Sequence, residues 1–289
     1  MVFGFAARRL PVILLILLVL PLATGRAVVE LFLKNKRSAS FRKLNKGLTK
    51  SIAPVPFAAI FIARVRLGLN RLMTYWGDQL RDPKWHARIE YSGLEKVLER
   101  LNSGQSVLLT SLHYGTPREA STILRSLGLR LSALASDDLS RLEKKAVEIR
   151  DGLWCLEDAP VILNPKDLWR TRDLLMQPGR LLLVLVDRNK NQRDLSVSLL
   201  GGRVQIAKGF VTLAEITEAV VVPFACTGSG FLKWRLWFGK PMDATAREGM
   251  QNKSDLCQRV LDELASEIGK FPEQFQPHLI GAMMESEVS

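Results

Sequence analysis

Apolar and polar positions fall into blocks along this chain, and the character of the blocks changes near residue 85. Ahead of that point, "LPVILLILLVLPLA", Leu10 to Ala23, is a continuous apolar run preceded by Arg8 and Arg9. It is short for a straight membrane-crossing helix, which needs about 20 residues. A second apolar stretch, "IAPVPFAAIFIA" from Ile52 to Ala63, runs into Arg64 and Arg66. Between the two lie Lys34, Lys36, Arg37, Arg42, Lys43, Lys46 and Lys50. Positive charge that follows an apolar segment tends to stay cytoplasmic. Two short apolar segments bracketed by basic residues therefore predict a chain that dips into a bilayer interface and is retained there. A cleaved signal peptide followed by an ordinary core helix is the competing reading.

From about Trp85 the pattern predicts alternating helices and strands. "GLEKVLERLNSG", Gly93 to Gly104, carries Leu94, Val97, Leu98 and Leu101 at helical spacing. "QSVLLTSL" reads as a buried strand, and Pro117 opens a helix that ends at Gly128. A strand "LRLSALAS", a polar helix from about Asp138, a short strand "APVIL" and a helix "PKDLWRTRDLLMQPG" follow. "RLLLVLVD", Arg180 to Asp187, shows no polar alternation and predicts a central strand covered on both faces. "RNKNQRDLSVSLLGGRVQIAKGF" reads as a long polar connection. It leads to a helix "VTLAEITEA", a strand "VVVPFA", a late antiparallel strand "KWRLWFGKPM", and a C-terminal helix ending in a short tail. The prediction is an α/β fold: a mixed, mostly parallel open sheet with helices on both faces, behind an N-terminal membrane-associated helical segment. The division expected is residues 1–84 for the anchoring, basic region and 85–289 for the α/β domain.

Composition narrows the partners. The 289 residues are 47% apolar and 24% charged, which excludes a disordered chain, and the net charge is +12. Such a field suits an anionic membrane surface, phosphorylated ligands, acidic proteins or nucleic acid. Aromatic residues do not interleave with basic ones as on a single-strand nucleic-acid platform, so nucleic acid is not an expected partner. Cys155, Cys226 and Cys257 form no CxxC pair and have no His at ligand spacing, so no metal is expected and three buried thiols are the plain reading.

In open α/β sheets ligands bind beyond the carboxyl ends of the strands. His113 ends one predicted strand, Asp187 and Arg188 end another, and Pro223 lies near the end of a third. A carboxylate from Glu119, in the first turns of the next helix, could orient the His113 ring, leaving the other nitrogen to take a proton from a hydroxyl or amine. The plainer alternatives are a histidine that only caps the strand, and an Asp187–Arg188 surface ion pair worth about 0–1 kcal/mol. His86 and His278 lack such a setting. No dinucleotide GxGxxG, no phosphate-binding GxxxxGK[ST] and no nucleophile elbow is present.

Taken together, residues from about Trp85 to Gln276 resemble the lysophospholipid acyltransferase superfamily, nearest the late (lauroyl and myristoyl) acyltransferases of lipid A biosynthesis. The resemblance rests on four pieces in order: "GLEKVLERLNSGQSVLLTSLHYG", "LLLVLVDRNK" with "VSLLGGRVQIAKG", "VTLAEITEAVVVPF", and "FPEQF" at Phe271 to Phe275. It implies transfer of a fatty acyl group from an acyl carrier protein or coenzyme A thioester to a hydroxyl of a lipid or glycolipid, with no further cofactor. It also implies a cytoplasm-facing site on a bacterial inner membrane. His113 would be the base and Glu119 its orienting carboxylate. Arg188 and Lys208 would bind acceptor phosphate or steady the oxyanion, with Asp187, Gly209 and Arg118 lining the substrate.

Two features depart from the family pattern. The motif is His, four residues, then Asp or Glu; here Arg118 takes that place and Glu119 arrives one position late. One residue turns a helical side chain by about 100°, so either the Thr116–Pro117 turn absorbs the extra residue or Glu119 points away. The tail "FPEQFQPHLI" lacks the tryptophan and paired arginines that usually follow the signature. A catalytically silent relative that binds lipid or carrier protein is the alternative these departures leave.

Overall fold

Three helices come first: α1 (Val12–Phe32), α2 (Lys36–Lys46) and α3 (Phe57–Thr74). The α/β part runs β1 (Ile89–Ser92), α4 (Leu94–Asn102), β2 (Val107–Ser111), α5 (Pro117–Ser126), β3 (Leu131–Leu134), β4 (Ile162–Leu163), α6 (Leu168–Leu175) and β5 (Leu181–Leu185). It continues with β6 (Leu195–Leu199), β7 (Gly202–Ile206), α7 (Gly209–Thr217), β8 (Val220–Gly230), β9 (Lys233–Phe238) and β10 (Met242–Asp243). Helix α8 (Lys253–Ile268), a 3-10 turn (Pro272–Gln274) and α9 (Pro277–Glu285) close it. The computed structural model describes residues 12–32, 36–49, 51–74, 86–134, 162–163, 168–187, 195–244 and 253–285. The polar helix predicted from Asp138, Cys155 and Arg188 lie outside them, and the side chains of Arg118 and His278 are likewise not described.

The main sheet has the order β1-β9-β8-β2-β5-β3-β4, with β10 paired to β8. Strand β2 pairs in parallel with β5 and β8, and β3 in parallel with β5 and β4. Strand β9 is antiparallel to β8, as its sequence predicts, and parallel to β1. Strands β2 and β5 have no polar face because both faces are covered. Leu108 and Leu182 face one apolar cluster with Phe210, Leu213, Leu256 and Leu261; Leu109 and Leu183 face another with Val97, Ile123 and Leu124. Burial of one such side chain stabilises by about 1.5–3 kcal/mol, and a one-residue slip would exchange the two faces, so register is tightly set.

Three readings of the sequence are corrected. The stretch read as a polar connection after Asp187 contains an antiparallel hairpin, β6–β7, whose Val197, Leu199, Val204 and Ile206 point inward. Its turn, Leu200 and Gly201, has φ of 47° and 77°, the doubly positive geometry of the favoured two-residue hairpin. Nor is the stretch after "FPEQF" a short tail: α9 begins at Pro277 and buries Leu279, Ile280 and Met283 completely. Finally, Arg64 is not an interfacial basic residue. It is 5% exposed, its guanidinium lies 4.9 Å from the centre of the Phe41 ring, and it donates to Gln276 Oε1 and to the carbonyls of Glu273 and Phe275.

The N-terminal helices share the core of the sheet. Val19, Ala23 and Ala27 of α1 join one apolar cluster, and Phe41 and Leu44 of α2 the other. Asn70 of α3, fully buried, caps the β8–β9 turn by accepting from Leu232 N (2.8 Å) and donating to Lys233 O (3.2 Å). Among the described residues no helix is long and apolar enough to cross a membrane.

Candidate active site

Strands β2 and β5 are parallel neighbours with Ser111 opposite Leu185. His113 and Asp187 each stand two residues beyond that pair, so they leave the carboxyl edge of the sheet side by side. The Asp187 carboxylate accepts from the His113 backbone N–H with both oxygens (3.0 Å each) and lies 2.8 Å from Nδ1 through Oδ1. Its side chain has no exposure, whereas that of His113 keeps 18%. A carboxylate without a proton only accepts, so in that pairing Nδ1 donates and the lone pair falls to Nε2. An imidazole held this way can take a proton from a hydroxyl presented at its exposed edge.

Glu119 was expected on the ring. It is the third residue of α5, 1% exposed, and its charge acts on the Cys226 thiol inside the fold. The carboxylate on Nδ1 is Asp187, which the parallel pairing of β2 with β5 delivers from 74 positions away. Ala207 N donates to Val186 O (3.0 Å), which ties the end of β7 to the end of β5. Lys208 and Gly209, both exposed, thereby open α7 at the same edge of the sheet. Burial pushes the Cys226 thiol well up, with the Thr116 hydroxyl acting the other way, and burial pushes Cys257 to about 12. Neither sulfur is a thiolate nucleophile near neutral pH.

The loop that carries His113 is fixed from behind. Gly115 has φ of 57°, and a Cβ there would stand 2.1 Å from the Cys226 carbonyl oxygen. Thr116 N donates to that same oxygen at 2.7 Å. Tyr114 bridges to Phe275, packs edge-on against its ring at 5.6 Å, and donates its hydroxyl to Phe271 O (3.1 Å). Gly115→Ala is therefore expected to lose at least about 2 kcal/mol of stability, read as a lowered midpoint in urea unfolding.

A histidine gripped by a buried carboxylate, at the edge of a mostly parallel sheet, makes this an α/β fold with a site suited to proton transfer. The family is specific: the model of the bacterial lipid A biosynthesis acyltransferases matches residues 71–277, most of the chain, and the protein belongs to that family. No curated protein matches the chain.

Proposed function

We propose that this protein transfers a fatty acyl group from an acyl thioester to a hydroxyl of a lipid or glycolipid of the lipid A precursor type. The observation that carries the reading is the His113–Asp187 pair, at 2.8 Å, at the carboxyl edge of β2 and β5. His113 Nε2 removes the proton as the acceptor oxygen attacks the thioester carbonyl; the carbon–sulfur bond then breaks and the thiol departs with a proton. The transfer is direct. Lys208 and Arg188, one on each side of the β6–β7 hairpin in sequence, are the cations for an acceptor phosphate or the developing oxyanion. The donor is acyl carrier protein or coenzyme A, and the net charge of +12 suits the acidic carrier, the anionic lipid and a phosphorylated acceptor alike.

The surface of the N-terminal helices supports membrane association, which we read as attachment to the inner membrane with the site facing the cytoplasm. Leu17, Leu22, Val29 and Phe32 of α1, with Phe57 and Ile62 of α3, are exposed, and Phe32 meets Phe57 edge-on at 5.4 Å. Arg42, Lys43 and Lys46 are exposed on α2 between them in sequence. An apolar surface with basic residues close by suits a bilayer interface. Phe32→Asp combined with Phe57→Asp is expected to lower co-flotation with anionic vesicles by at least about tenfold, since two aromatic contacts are lost and two negative charges face the anionic surface.

The test is a thiol-release assay on the full chain with lauroyl-coenzyme A and lauroyl-acyl carrier protein and a total lipid extract. Release matched by a lipid gaining one acyl group supports the reading. A protein that binds the lipid but releases no thiol from either donor is instead the silent lipid binder.

A further inference from the structure

The "FPEQF" signature lies far from His113 in sequence, yet its residues converge on the histidine loop. Gly115, two positions after His113, donates its N–H to Gln274 O (3.1 Å) and accepts at its carbonyl from Gln276 Nε2 (2.8 Å). The Gln274 side chain, 1% exposed, is itself locked to the Gly228 peptide, accepting from its N–H (2.9 Å) and donating to its carbonyl (3.2 Å). Gln276 is held in turn by Arg64, which donates to Oε1 at 3.3 Å and also grips the Glu273 and Phe275 carbonyls. An amide can accept from a guanidinium with one atom and donate to a carbonyl with the other. The series Arg64, Gln276, Gly115 thus runs from helix α3 of the N-terminal region to the peptide beside the imidazole.

We propose that Gln276 and Arg64 are positioning residues for the acyl transfer: they fix Gly115, and through it the aim of the His113 ring that Asp187 holds from the other side. The inference rests on His113 acting as the base. Its physical basis is that the ring is held by the carboxylate in front and by the clamped loop behind, of which the Gln276 bond to the Gly115 carbonyl is one tie. Loosening that tie lets the ring drift along the sheet edge while the substrate surfaces stay in place. A displacement on the order of 1 Å at a reacting atom can cost about 100-fold in rate.

The experiment compares steady-state transfer from lauroyl thioesters by the full chain in mixed lipid–detergent micelles. The variants are Gln276→Glu, Gln276→Ala and Arg64→Ala, each also in the His113→Ala background, with thermal melts followed by circular dichroism. Gln276→Glu keeps the size and the Arg64 contact but removes the donor to Gly115 O, and Gln276→Ala removes both. The expected result is a kcat about 10- to 100-fold lower for both Gln276 variants, with KM within about threefold of wild type. In the His113→Ala background the same changes cause no further loss, because a positioning residue acts only through the group it positions. A Gln276→Glu enzyme with kcat within about twofold of wild type overturns the inference, as does a loss that repeats in full without His113. Both outcomes leave the acyltransferase reading standing. A wild-type chain that transfers nothing removes that reading, and this inference with it.

Discussion

His113→Ala is expected to lower acyl transfer by about 10²- to 10⁴-fold, the usual contribution of a positioned general base. The fold should survive. The His113 side chain is on the edge of the sheet, 18% exposed, and its removal leaves the backbone N–H still bound to Asp187. Melting curves that match wild type, with kcat/KM lost, would assign the effect to chemistry. Residual transfer at the wild-type rate in the purified variant would exclude His113 as the base. Because the remaining cations and lipid-facing surfaces are untouched, lipid binding should stay within about twofold of wild type.

Asp187→Asn comes next in size, with an expected loss of about 10²- to 10³-fold in kcat. The amide has one oxygen for a ring N–H and a backbone N–H that now share two. If its NH₂ turns towards Nδ1, the imidazole must carry its proton on Nε2, where it cannot act as a base. Some stability is also lost, since the carboxylate is fully buried and accepts all three contacts from His113. Glu119→Gln is the informative comparison. If Glu119, one residue past the motif position, is the orienting carboxylate, Glu119→Gln should cost as much in kcat as Asp187→Asn. With Asp187 on Nδ1 at 2.8 Å, the expected cost of Glu119→Gln falls on stability, read in the melting curve.

The buried strands of this fold were legible from their apolar residues: "QSVLLTSL" predicts a buried strand and "RLLLVLVD" a central one covered on both faces, and both strands are buried. Helix stops were legible from glycines that the structure places at positive φ, among them Gly104 and Gly128. Hairpin β6–β7 was signalled by the alternation of Ser, Arg and Gln with its apolar residues, but its turn, Leu200-Gly201, lacks the usual asparagine and sits inside a polar, glycine-bearing stretch that reads as a loop. In the site, His113 stood out from its strand-end position and its family context. Asp187 was noticed for the same reason but assigned to substrate, although one signal was present: it follows its strand by the same two residues as His113. Arg64 was read as interfacial because its sequence neighbours are apolar and basic, a pattern that cannot reveal the three oxygens waiting for it.

By itself, then, the sequence determined the class of fold, the family and the histidine, since each is written in local periodicity or in an ordered series of short motifs. The tertiary structure alone decided which carboxylate holds that histidine and what holds its loop. Local spacing offered Glu119 six residues on; strand order supplied Asp187, 74 residues on, and the C-terminal segment supplied Gln276, 161 residues from the Gly115 it grips. A hydrogen bond at such separation depends on which strands become neighbours and in what register. That choice is made by burying apolar faces over the whole sheet, and no short window of the chain contains it.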